Sequence, residues 1–180
     1  VVTDIGEEAF YGCSSLKHIV IPSSVTKIKK DSFSECESLI TVVIPSSVKI
    51  IDNYAFSGCS SLKNINIPSS ITNINNAAFS GCSSLTNIII PNSVTTISLN
   101  AFSHCSSLEN IVIPDSVTSI GKWAFYQCTK LKSVTISSSI TTIEVATFAK
   151  CNSLETVLIP NSMTNIETDA FLSCNSKHFK

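Results

Sequence analysis

The chain has 180 residues, 43% of them hydrophobic, with a formal charge of −1 and a pI near 6.3. That is ample material for a core and too little charge to draw nucleic acid or anionic lipid electrostatically. All 12 basic residues are lysines, so the bidentate fork that reads guanine edges or phosphates is missing and nucleic-acid readout is not expected. No apolar run is long enough to span a bilayer, so no membrane insertion is expected, and no charged n-region with an apolar h-region marks a signal peptide.

One period organises the sequence. Phenylalanine recurs at Phe10, Phe33, Phe56, Phe79, Phe102, Phe125, Phe148 and Phe171, each step 23 residues. Cysteine keeps the same step from Cys13 to Cys174, leucine from Leu16 to Leu154, and proline from Pro22 to Pro160 with Ser137 filling one gap. No insertion or deletion breaks the register. A fixed period of this size predicts a stacked repeat in which each unit buries its apolar face only against its neighbours.

The unit from Cys105 to Cys128 shows the elements in chain order. Ile111 and Ile113 alternate with Val112, the period-2 pattern of a strand with one buried face. Pro114 lacks an N–H and ends the strand, and Asp115-Ser116 suits the corner that follows. Val117 and Ile120 turn inward again as a short extended return segment. Ala124, Phe125 and Cys128, at spacings of one and three, fit a single helical or 3₁₀ turn. About 8 such units, with strands about 4.8 Å apart, predict one parallel sheet on one face of a rod about 35 Å long, and helical or 3₁₀ turns on the other. Phe56, Phe79, Phe102, Cys59, Cys82 and Cys105 belong to its core. A serine column at 24, 47, 70, 93, 116, 139 and 162 is expected to satisfy corner backbone groups. The chain opens in mid-phrase, so residues 1–180 are expected to form one domain cut from a longer array. Neither end carries an obvious polar cap, which leaves end-to-end self-association open, and Lys177 stands where the last unit should have leucine.

The phrase C-x-x-L-x-x-I-x-I-P-x-x-V-x-x-I-x-x-x-A-F resembles the BspA-like, Treponema pallidum-type leucine-rich repeats over essentially the whole chain. The resemblance implies a leucine-rich-repeat solenoid, placed at a cell surface or secreted, that attaches to host matrix or cell-surface proteins. The family often carries glycine after the return-segment isoleucine. Here only Gly6 and Gly121 do, with Lys29, Asp52, Asn75, Ser98, Glu144 and Glu167 in its place.

Eight cysteines invite chemistry, but one thiol per turn forms a line, and no four can converge on a metal. Stacked side chains point the same way, which keeps neighbouring Cβ atoms too far apart for disulfides, and no cation repeats beside the thiols to activate them. They read as small buried hydrophobes. His18, His104 and His178 sit at three different phases of the repeat and cannot form one site. No phosphate loop, nucleophile elbow, zinc-protease or calcium-loop motif occurs, so neither catalysis nor a cofactor is expected.

Binding is expected on the outward side of the sheet. Its middle column is Val20, Val43, Asn66, Ile89, Val112, Thr135 and Leu158, with Asn64, Asn87 and Asn110 in the polar column beside it. An apolar stripe rimmed by polar residues fits a protein interface, although strand propensity alone also favours β-branched residues there. Two functions stay open: a non-enzymatic protein-binding scaffold for recognition or adhesion, and a structural spacer without a ligand of its own.

Overall fold

The computed structural model describes residues 1–175 and the short strand His178–Phe179. The position of Lys177 lies outside the described residues, as does any account of its capping role. Every described strand pairs in parallel, and from Asp4 to Ile166 each partner is 23 residues away: Asp4 with Lys27, Asn73 with Thr96, Val134 with Ile111 and Val157. The repeat period is therefore the rise of one solenoid turn.

Two strand columns run along the rod. Face strands occur at His18–Val20, Thr41–Val43, Asn110–Val112, Ser133–Thr135, Thr156–Leu158 and His178–Phe179. Return strands occur at Asp4–Ile5, Lys27–Ile28, Ile50–Ile51, Asn73–Ile74, Thr96–Ile97, Ser119–Ile120, Thr142–Ile143 and Asn165–Ile166. The return segment is thus more than a loose extended piece. Its isoleucine fixes the pleat, and the return strands pair in three sets, Asp4–Ile5 to Ile50–Ile51, Asn73–Ile74 to Ser119–Ile120, and Thr142–Ile143 with Asn165–Ile166.

The face sheet departs from the single continuous sheet expected. It is split into a pair, His18–Val20 with Thr41–Val43, and a set that begins at Asn110–Val112. Residues 64–66 and 87–89 lie between them outside any strand. Asn64, Asn66 and Asn87 fall in this interval. Asn110, in the column of Asn64 and Asn87, lies in a paired strand. The distinguishing residue of the interval is therefore Asn66, which has low strand propensity and stands in the middle column where its neighbours carry Val43, Ile89 and Val112.

The tight turn is also built differently from the helical or 3₁₀ turn expected, for no helix occurs among the described residues. In the fifth unit Ala124, Tyr126 and Cys128 donate their N–H groups to Gly121, Trp123 and Phe125, three residues back. The intervening Trp123, Phe125 and Gln127 donate to Val145, Thr147 and Ala149 of the next turn. Left-handed φ values at Trp123 (55°) and Gln127 (57°) produce this alternation. A helix would spend every amide internally; here half of them stitch the stack.

The core is a set of columns. Phe33, Phe56, Phe79, Phe102, Phe125 and Phe148 are fully buried, and successive rings stack at 5.2–5.8 Å. Cys59, Cys82 and Cys105 are buried as expected and also donate: their Sγ atoms meet the carbonyls of Phe33, Phe56 and Phe79 at 3.2–3.3 Å. The serine column bonds the preceding corner, for example Ser47 to the Val25 carbonyl and Ser93 to the Ile71 carbonyl, each at 2.7 Å. Near the missing proline the pattern slips. Ser137 takes the Val117 carbonyl, Ser139 takes that of Asp115, and the buried Ser116 hydroxyl has no partner among the described residues.

The non-glycine residues after the return isoleucine are accommodated because their φ is not left-handed. Only at Gly121 does the backbone press on the turn below: a Cβ there would lie 2.6 Å from the Leu99 nitrogen.

Candidate interaction face

Alternation along the face strands sets the surface. Val42, Ile65, Ile88, Ile111, Val134 and Val157 point inward and are buried. The residues that follow them, Val43, Asn66, Ile89, Val112, Thr135 and Leu158, are all exposed, as is Val20 at the N-terminal end. Ile89 is the extreme case at 81% exposure, against 48% for Leu158. Asn64, Asn87 and Asn110 are exposed in the neighbouring column. The structure therefore gathers every face residue expected from the sequence onto one surface.

The surface is not uniform along its length. At the N-terminal end His18 and Thr41 share a 2.8 Å hydrogen bond across turns. Toward the C-terminal end Ser133 donates to the Asn110 carbonyl oxygen at 2.8 Å, and Lys132 pairs with Glu109 at 2.8 Å. That exposed pair holds the Glu109 carboxyl below its ordinary range and the Lys132 ammonium above its own, each through the hydrogen bond to the other. Between these knitted ends Asn64 and Asn66 make no hydrogen bond among the described residues.

The backbone repeats the contrast. Ile21, Ile113 and Ile136 donate their N–H groups to the carbonyls of Val43, Thr135 and Leu158 in the next turn. The equivalent donors Ile44, Ile67 and Ile90 make no backbone hydrogen bond among the described residues. Two clefts open where the pairing fails. One, of about 270 Å³, is lined by Asn64, Asn66, Asn87 and Ile89 above Ile65 and Ile88. The other, of about 330 Å³, is lined by Ile89, Asn92, Asn110 and Val112 among others. Sequence reasoning missed this opening; Asn66 in the middle column is the one departure that pointed to it, since Asn110, in the column of Asn64 and Asn87, is part of a paired strand.

Elsewhere the groups with chemical potential are dispersed. Among the described residues no three His, Cys, Asp or Glu side chains form a metal-binding group, and no helix is long and apolar enough to cross a membrane. Burial pushes the Cys128 thiol up to about 12, and it raises Cys82 and Cys105 well above the usual thiol range. His104 packs edge-on to Tyr126, which also lies under the Lys150 ammonium. Tyr54 and Trp123 sit on the turn rim, away from the sheet face. At the N-terminal end Val2, Ile5, Phe10, Ile19 and Ile21 line a depression of about 320 Å³.

A 23-residue parallel solenoid with inward Leu, Phe and Ile columns and an outward strand face is a leucine-rich-repeat scaffold. The sequence pattern of the BspA type leucine-rich repeat region matches residues 1–108 and 72–180, and the chain belongs to that family. Among solved structures it is similar to a leucine-rich cell surface protein from Faecalibacterium prausnitzii, with 35% identity and a TM-score of 0.62, over 95% of this chain and 54% of that one. The leucine-rich repeat protein of T. pallidum is similar at 29% identity and a TM-score of 0.63, over 92% of this chain and 67% of that one. A leucine-rich repeat protein from Eubacterium ventriosum gives 28% identity and a TM-score of 0.77, over 92% and 45%. The chain thus spans about half the length of the first of these relatives. No functionally curated protein matches the sequence.

Proposed function

We propose that this chain is a non-enzymatic protein-recognition segment of a surface or secreted protein and binds through the outward side of its face strands. The observation that carries the reading is the exposed stripe Val20, Val43, Ile89, Val112 and Leu158, flanked by neutral amides at Asn64, Asn87 and Asn110. The apolar residues form two neighbouring pairs, Val20 with Val43 and Ile89 with Val112, parted by Asn66. Burying exposed apolar patches with a polar rim against a partner is favourable. Surface placement draws support from the similar cell surface protein of F. prausnitzii. The partners we propose are host matrix or cell-surface proteins, not nucleic acid. Residues 1–180 act as one domain of a longer array, and end-to-end association of the segment is part of the proposal.

Binding of the protein to immobilised fibronectin and fibrinogen tests the reading, with a Val43→Lys/Ile89→Lys/Val112→Lys variant alongside. Loss of about tenfold or more in affinity, with an unchanged circular dichroism spectrum, is expected. Equal binding by the variant would place recognition elsewhere. No binding by either protein would favour the spacer, a reading supported by the unbroken phenylalanine stack.

A further inference from the structure

The opening in the face sheet distinguishes three inter-turn steps from the rest. Across Val43 to Asn66, Asn66 to Ile89 and Ile89 to Val112 the strand ladder is missing. The return strands Asn73–Ile74, Thr96–Ile97 and Ser119–Ile120 remain paired across the second and third of these steps, while Ile50–Ile51 and Asn73–Ile74 fall in separate sheets at the first. The turn side is intact as well, since Phe56, Phe79 and Phe102 still donate to Ala78, Ala101 and Ala124. The ring separation Phe56–Phe79, 5.8 Å, is the widest in the stack. From Asn66 to Val112 the rod is therefore held on two sides and open on the third.

What the opening offers is chemically uniform. Its clefts are lined by side-chain amides, aliphatic groups and Pro114, and no charged side chain lines either one. The N–H groups of Ile44, Ile67 and Ile90 lack backbone acceptors, and the inner edges of Thr41–Val43 and Asn110–Val112 lack strand partners. Turns held about one strand spacing apart leave no room for a strand inserted between them, so a ligand lies across the clefts on the face. Amide side chains present a donor and an acceptor together, which is the pattern of a peptide group. Ile89 and Val112 add aliphatic contact beside them.

We propose that the opening over residues 64–67 and 87–90 is the specificity site of the face, and that its occupant is an uncharged, extended polypeptide segment carrying short polar and aliphatic side chains. This rests on the reading of the sheet face as a protein-binding surface and names the class of partner. A phosphate or carboxylate ligand finds no cation in the clefts to balance it. A glycan would lack an aromatic platform, because Tyr54 and Trp123 belong to the turn rim.

The test is selection of a phage-displayed library of random, unconstrained dodecapeptides on the immobilised protein, followed by affinity measurement on three variants. Enriched peptides should be neutral and should protect the amides of Ile67 and Ile90 from hydrogen exchange. Ile89→Asp should weaken them about tenfold or more, whereas Ser119→Lys, on a return strand and off the face, should leave them within about twofold. Asn64→Val/Asn66→Val/Asn87→Val, which restores strand propensity, should abolish binding while the protein becomes harder to unfold. Binders kept in Ile89→Asp would overturn the opening while leaving the face reading to the fibronectin and fibrinogen assay. Binding on a glycan array that Ile89→Asp removes would overturn the polypeptide assignment. A library with no binder would overturn it too, and the fibronectin and fibrinogen assay would still judge the face by itself.

Discussion

At the residue scale, the stack turns small differences in partner into measurable stability. Ser93 and Ser116 occupy the same corner position, yet only Ser93 donates, to the Ile71 carbonyl. Ser93→Ala should cost about 1 kcal/mol in urea unfolding, while Ser116→Ala should be neutral or stabilising, because it removes a buried hydroxyl with nothing to bond. Equal losses would mean that the serine column acts through packing rather than hydrogen bonds. The cysteines make a pH prediction. The Cys128 thiol ionises near 9.0 when unconstrained and about 12 in the fold, mainly through burial. The unfolded chain therefore holds fewer protons across that window, so stability is full below it and falls as pH rises through it, by about 1.4 kcal/mol per pH unit for each such thiol. Cys128→Val should flatten the decline in chemical melts taken across that range. The spacing of the cysteines between Phe and Leu made their burial legible in the sequence. Their bond to the phenylalanine carbonyl of the preceding turn was not, because it needs the stacking offset.

At the element scale, strand, corner and return segment could be read from Ile111, Ile113, Pro114, Val117 and Ile120. The turn could not be assigned from spacing alone, since Ala124, Phe125 and Cys128 satisfy both a helical turn and a run of i to i+3 bonds. Gly12, Gly58 and Gly81 hint at the left-handed positions, but Glu35, His104, Gln127 and Lys150 occupy the same column at positive φ and hide the pattern. These side chains tolerate the conformation at some energetic cost. Ala77 (φ 51°) is buried and carries no side-chain function. Ala77→Gly should stabilise the fold by about 0.5–1 kcal/mol, the left-handed penalty less the extra entropy of glycine in the unfolded chain. A loss of stability in thermal melts would show that the methyl group's packing outweighs the backbone strain.

At the scale of the whole molecule, the fixed 23-residue step gives the solenoid, its parallel register and its inner columns. It also gives the outward face, for the residues from Val20 to Leu158 emerge together as alternation requires. Perfect periodicity conceals the opening, because Ile65, Ile67, Ile88 and Ile90 keep the strand pattern and only Asn66 in the middle column breaks it. The account therefore turns on whether the rod is open in its middle and closed at the C-terminal part of its face. Residue-resolved amide hydrogen exchange of the free protein measures this directly. The N–H groups of Ile44, Ile67 and Ile90 should exchange on the order of a hundredfold faster than those of Ile113 and Ile136, which bond the next turn. Uniform protection across all five would mean a continuous sheet, and the face would have no preferred site of recognition.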